Sequence, residues 1–373
     1  MLPFIQTDLW KESYVDANSE ANKIKINDRI ALCSGICRVL VILPSKQCSP
    51  SLNALAQPTI ESVENITNYT EGCKKKTGEN SNDYNLSVHV LSRIAEEIMI
   101  LSTMIRTFNN ATSKNNDILT DSSVHPLFTV LKRLWPCLSY AAEKYSWNEL
   151  ISSAMSEFLI ASICIKDDSS AKTFFTDICQ VATTIIKKVT QAQSVASLVP
   201  ILDFIKCAIE TYGRIAESEK SYSSTRTLLD NKEDKEVGRI IEQLIYLSYD
   251  SVQASYLWND AQAIAKINFS VKFKEKKHVN HGNLDAQSGM FSILMSCVQR
   301  CPVLLINLLP NAGEKGIFFN LIDSALIILN EKQSGVVRNA ILFMKEVVSD
   351  ALSNKFLSII LRSYLPHFHH LSL

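Results

Sequence analysis

The stretch His125-Pro126-Leu127-Phe128-Thr129-Val130-Leu131-Lys132-Arg133-Leu134-Trp135-Pro136-Cys137-Leu138 decides how the chain is read. Leu127, Val130, Leu131, Leu134, Trp135 and Leu138 recur at the i, i+3, i+4, i+7 spacing of one helical face. Pro126 stands where the first turn begins, a position whose N–H has no intrahelical acceptor to lose. Pro136 lies inside the apolar run and predicts a kink, or a split into two helices. Trp135 falls on the apolar face, so its ring is expected to pack between neighbouring repeats. Truncating it to alanine would then cost roughly 3–5 kcal/mol. A bent helix with a continuous apolar face is a unit from which stacked helical pairs are built.

Working outward, the same period recurs on both sides. Residues 1–27 are mixed and polar, without a clear period beyond Leu2 to Trp10. A first helix is predicted over Asp28 to Leu43, with Asp28 as its N-cap and Pro44 ending it. Ser51 to Ile66 is its antiparallel partner, and residues 87–108 form the next helix. Downstream, Trp147–Ile165 pairs with Ala171–Val189, and Val195–Tyr212, ending at Gly213, pairs with Val237–Leu257. Gln287–Leu309, Ile317–Leu329, Val336–Ser349 and Leu352–Tyr364 follow. Polar and charged stretches near 70–86, 109–124, 217–236 and 272–286 read as loops. About six helix pairs recur at roughly 40–47 residues, the spacing of HEAT-type repeats. The expected fold is all-α, a HEAT-like helical-repeat solenoid occupying residues 1–373, because no pair can bury its apolar face without a neighbour.

The composition agrees with helices. Of 373 residues 46% are hydrophobic, and the 10 glycines and 10 prolines are too few for a sandwich or barrel. The 38 basic and 38 acidic side chains cancel, which leaves no overall field to draw the chain onto nucleic acid. No direct DNA binding is expected. No apolar run reaches the ~18 residues of a membrane helix without polar breaks, so no membrane association is expected. Met1-Leu2-Pro3-Phe4 lacks the basic and apolar regions of a signal peptide. The ten cysteines are scattered through apolar runs, which fits reduced thiols in an intracellular compartment. Five glycosylation sequons, Asn65-Ile66-Thr67 among them, are then chance matches.

Few residues offer chemistry. Cys33/Cys37 and Cys297/Cys301 lie at i, i+4, but neither pair has further ligands at zinc-site spacing, and core packing is the better reading. His278-Val279-Asn280-His281 sits in a lysine-rich stretch, and His367-Phe368-His369-His370 lies at the end of the chain. Neither cluster has a carboxylate or cysteine partner at ligand spacing. Lys74-Lys75-Lys76 and Lys272-Phe273-Lys274-Glu275-Lys276-Lys277 read as solvated runs. No phosphate-binding, dinucleotide-binding, nucleophile-elbow or zinc-protease motif occurs in the sequence. No enzyme activity, cofactor, metal or catalytic residue is expected.

Three stretches resemble one family. His125-Pro126 followed by Leu134-Trp135-Pro136 is similar to a helix in the C-terminal half of the transportin-3/importin-13 group of nuclear transport receptors, within the importin-β superfamily. Met290-Phe291-Ser292-Ile293-Leu294, running into Val298-Gln299-Arg300-Cys301-Pro302-Val303-Leu304-Leu305, resembles a helix of the same receptors that breaks at a Q-R-x-P-like ending. Leu32-Cys33-Ser34-Gly35-Ile36-Cys37-Arg38-Val39-Leu40, leading to Leu43-Pro44, resembles a third. The stretches stand in the family's order.

The resemblance implies a nuclear import receptor, working between nucleus and cytoplasm, that carries protein cargo through the pore. It implies weak contacts with Phe-Gly nucleoporins and release of cargo by the Ran GTPase. It also implies a fragment without the N-terminal repeats that hold most of the Ran surface, and hence weak Ran binding. The family recognises phosphorylated Arg-Ser segments of splicing factors through an arginine row, and the matching positions here are Ser156, Leu159 and Ile163. That site is not carried over. Lys132, Arg133 and Lys144 on the preceding helix are the nearest cations and the candidate cargo-facing residues. A non-transport scaffold or adaptor subunit with the same helical build is the other reading.

Overall fold

The computed structural model describes residues 25–77, 88–112, 125–165, 170–221, 232–258, 281–307, 325 and 334–353. Among these residues every regular element is a helix, none is a strand, and no helix is long and apolar enough to cross a membrane. In chain order the helices are α1 (Ile26–Leu40), α2 (Ser45–Thr77), α3 (Val88–Thr112), α4 (Pro126–Tyr145), α5 (Glu149–Ile163) and α6 (Ser170–Ala192). After these come α7 (Val195–Ser221), α8 (Lys232–Trp258), α9 (His281–Arg300), α10 (Pro302–Asn307) and α11 (Ser334–Ser353). The chain forms two compact units, Met1–Phe204 and Ile205–Leu373, and the division falls within α7.

In the first unit α1 to α6 each pack on a helix next but one in sequence as well as on an adjacent one. α3 contacts both α1 and α5, and α4 contacts both α2 and α6. The contacts along α1 and α3 rise together, Arg29 meeting Glu97 and Ser34 meeting Thr107, so the two helices run the same way. α3 and α5 do likewise, with Arg106 bonded to Glu157 and the Asn109 amide donating to the Cys164 carbonyl at 2.9 Å.

One polar cluster interrupts the apolar interior between these helices. Arg29 extends the buried stripe Cys33, Cys37 and Leu40 of α1, and its guanidinium donates to Glu97 at 2.9 and 3.1 Å. Both side chains are essentially out of water, at 2% and 0% exposure. Arg93, one turn earlier on α3, reaches the same carboxylate at 2.8 Å, and the Ser62 hydroxyl of α2 donates to it at 3.3 Å. The same helices α2 and α3 bury Leu52, Leu55, Ile60, Ile94, Leu101 and Phe108, all but inaccessible. Each such side chain contributes about 1.5–3 kcal/mol by leaving water.

The helix ends follow ordinary capping chemistry. His125 caps α4, its Nδ1 accepting the Leu127 N–H at 3.2 Å with Pro126 in the first turn. Asn148 caps α5 through its Oδ1 to Leu150 and Ile151. Gln193 has φ 55°, the left-handed conformation of a Schellman ending for α6. Its N–H bonds the Thr190 carbonyl, and the Ser194 N–H bonds that of Val189. Ser194 Oγ then accepts the Ser197 N–H to start α7.

Several sequence expectations are corrected. Pro136 does not split α4, which runs unbroken from Pro126 to Tyr145. Its ring is exposed, and so is Lys132, whose carbonyl loses the bond, so water can satisfy that oxygen. Pro50 and Pro58 are likewise accommodated inside α2, which starts at Ser45 and runs on to Thr77. The expected loop near 70–86 therefore begins as helix. Asp28 is not the N-cap of α1; Lys25 is, and Asp28 sits in the first turn, where a carboxylate suits the positive end of the helix dipole. The loops near 109–124, 217–236 and 272–286 are also entered by helix, since α3 reaches Thr112, α7 reaches Ser221, α8 starts at Lys232 and α9 at His281. Apart from Ala325, Ile317–Leu329 lies outside the described residues, as do 354–373 and the Lys272–Lys277 run.

Gly213 does not end α7 either. In the second unit, a Cβ built there would lie 2.8 Å from the Arg300 Cβ of α9 and 3.4 Å from the Cys301 sulfur. The glycine marks a close helix crossing, and Glu210 accepts the Ser296 hydroxyl one turn away at 3.2 Å. α9 also packs on α8 and α11; Phe291 faces Phe343 at 5.8 Å, and the Asn339 amide bonds Ser288. The helix expected over Gln287–Leu309 is broken at Cys301 between α9 and α10.

Trp135 is half-buried rather than enclosed, at the end of an aromatic run from Phe108 through His125, Phe128 and Phe174. Its ring meets Phe174 of α6 edge-on at 4.8 Å. The expected cost of Trp135→Ala therefore falls to about 1–2 kcal/mol, an aromatic pair plus partial burial. Phe158→Ala, at a fully buried ring of α5, is expected to cost about 3–5 kcal/mol. Glu97→Ala belongs with the second, at about 3–5 kcal/mol, because it strands buried guanidinium charge. Denaturant unfolding of the three variants checks this ranking, and a Trp135→Ala cost matching that of Phe158→Ala would contradict it.

Candidate partner-binding surface

α4 separates two environments. Leu127, Val130, Leu131, Leu134 and Leu138 are inaccessible, and the opposite arc carries Thr129, Lys132, Arg133, Pro136, Glu143 and Lys144 in solvent. The three candidate cations do not converge. Arg133 and Lys144 share one line along the helix about 16 Å apart, at 1.5 Å rise per residue. Lys132 lies roughly 100° around the arc from Arg133. Lys144 pairs with Glu143 at 3.2 Å, and both are exposed, so the pair contributes little to stability.

α5 carries no surface at the positions where the resemblance would put an arginine row. Ser156, Leu159 and Ile163 are all buried, and the Ser156 hydroxyl has no hydrogen-bond partner within the protein. Arginines placed there would carry three charges into the interior instead of presenting them to a ligand. The exposed residues of α5 are Glu149, Leu150, Ser153 and Glu157. Sequence reasoning missed Leu150 because α5 is apolar nearly all round and its period does not single out a face. It also missed Trp147, 41% exposed, and Met99 of α3, 43% exposed.

The cysteine pairs pack in the interior, as read from the sequence. Cys33, Cys37, Cys297 and Cys301 are all at or below 1% exposure. Among the described residues no three His, Cys, Asp or Glu side chains are grouped so that they could hold a metal ion. His278, His367, His369 and His370 lie outside the described residues, and His281 opens α9. The Cys37 thiol is pushed up by its hydrogen bond with Cys33 and by burial; Cys297 is pushed up by burial and by Cys301. Burial alone raises Cys179, and raises Cys48 to about 11. Burial, aided by the Glu64 charge, raises Cys137 to about 12. A protonated buried thiol is a poor nucleophile.

No protein-family model matches the chain, and no curated protein does so.

The thiols give a test of the interior. Cys164 is exposed and should react with a thiol reagent in the native protein, whereas Cys37, Cys48, Cys137, Cys179 and Cys297 should react only on unfolding. The thiol pKa values lie above the ordinary 9.0 in the folded state, so their contribution to stability is full below about pH 9. It is lost as pH rises through about 11 for Cys48 and about 12 for Cys137. Alkaline unfolding that begins above pH 9 and is blunted in Cys137→Ala agrees; native-state labelling of Cys137 at neutral pH does not.

Proposed function

We propose that the chain is an α-helical solenoid of HEAT-like repeats and works as a nuclear transport receptor similar to the transportin-3/importin-13 group. The observation that carries the reading is the next-but-one packing of α1, α3 and α5 beside α2, α4 and α6, the arrangement from which stacked helical repeats are made. The three stretches resembling those receptors give it further support. They fall on α1, on α4, and on α9 with its break at Cys301 before α10. In this reading the receptor holds protein cargo on a helical surface and crosses the pore by weak contacts with Phe-Gly nucleoporins. In the full receptor Ran in its GTP form then releases the cargo, while this chain by itself is expected to bind Ran weakly.

The exposed arc of α4 is the cargo-facing surface under this proposal, with Lys132, Arg133 and Lys144 as its cations. Guanidinium and ammonium groups suit carboxylate or phosphate partners, and arginine can bind them in a bidentate fashion. With Ser156, Leu159 and Ile163 buried in α5, a phosphorylated Arg-Ser cargo lacks its usual partners. Three charge-assisted bonds at about 1.5–3 kcal/mol each are missing, so such a peptide is expected to bind weakly. Titration of a phosphorylated Arg-Ser peptide checks this. Tight binding abolished by Lys132→Ala and Arg133→Ala would place the recognition on α4.

Transport itself is tested by fusing the chain to a bulky inert protein and adding it to permeabilised cells. Entry into nuclei, with retention on a Phe-Gly repeat resin, is the expected result. Exclusion from nuclei and no retention would remove the transport reading and leave a scaffold or adaptor subunit.

A further inference from the structure

We draw no further inference here: the strongest candidate, the exposed apolar surface patch of Met99 on α3 with Trp147 and Leu150 around the start of α5, carries nothing because nothing in the structure shows what covers it.

Discussion

A buried carboxylate sets the register of the first unit. Glu97 is out of contact with water and is held by Arg29 from α1, Arg93 from its own helix and Ser62 from α2. Helices that meet only through aliphatic side chains can slide by a turn and still bury similar area. Here a slide of α3 would draw Glu97 away from Arg29 and leave charge in the interior without a partner, which costs several kcal/mol. The cluster need not add net stability over well-packed apolar residues of the same volume. Its contribution is to make one alignment of α1, α2 and α3 far better than its neighbours.

The alignment is passed on by contacts of other kinds. Arg106 to Glu157 on the solvent side, and the buried Asn109 to the Cys164 carbonyl, fix α5 beside α3. From the core out to the half-buried Phe174 and Trp135, the edge-on rings of Phe108, His125, Phe128, Phe174 and Trp135 connect α3, α4 and α6, and such rings prefer particular angles as well as contact. In the second unit shape sets one crossing. At Gly213 the missing side chain lets α7 approach the end of α9 more closely than any residue with a Cβ would permit.

Much of this was legible from periodicity, and the failures share a cause. Each helix needs an apolar stripe, and the stripes of α1, α3, α4 and α6 could be read directly. The ends could not, because a breaker stops a helix only where its missing bond or open backbone cannot be satisfied. Pro136 sits on a wet face, and Gly213 at a crossing that requires it, so both helices continue. Polar ends such as Glu217 to Ser221 read as loop because their sequence carries no apolar period. Arg29 in the stripe of Cys33, Cys37 and Leu40 was a visible signal of a buried ion pair, but nothing in the sequence pointed 68 residues ahead to Glu97. The candidate surface was legible only in part. Lys132, Arg133 and Lys144 are exposed as read, whereas the uniform apolarity of α5 concealed both the burial of Ser156 and the exposure of Leu150.

The balance of 38 basic against 38 acidic residues suggested a protein without electrostatic preferences, and this holds only at long range. At physiological ionic strength the field of a surface charge fades over about 8 Å. Lys132 and Arg133 lie about 16 Å along α4 from Glu143, by the helical rise, so that carboxylate does little to neutralise them. A partner reads the charge within a Debye length of its own contacts. Net neutrality therefore limits non-specific attraction to polyanions while leaving the exposed arc of α4 locally basic around Lys132 and Arg133.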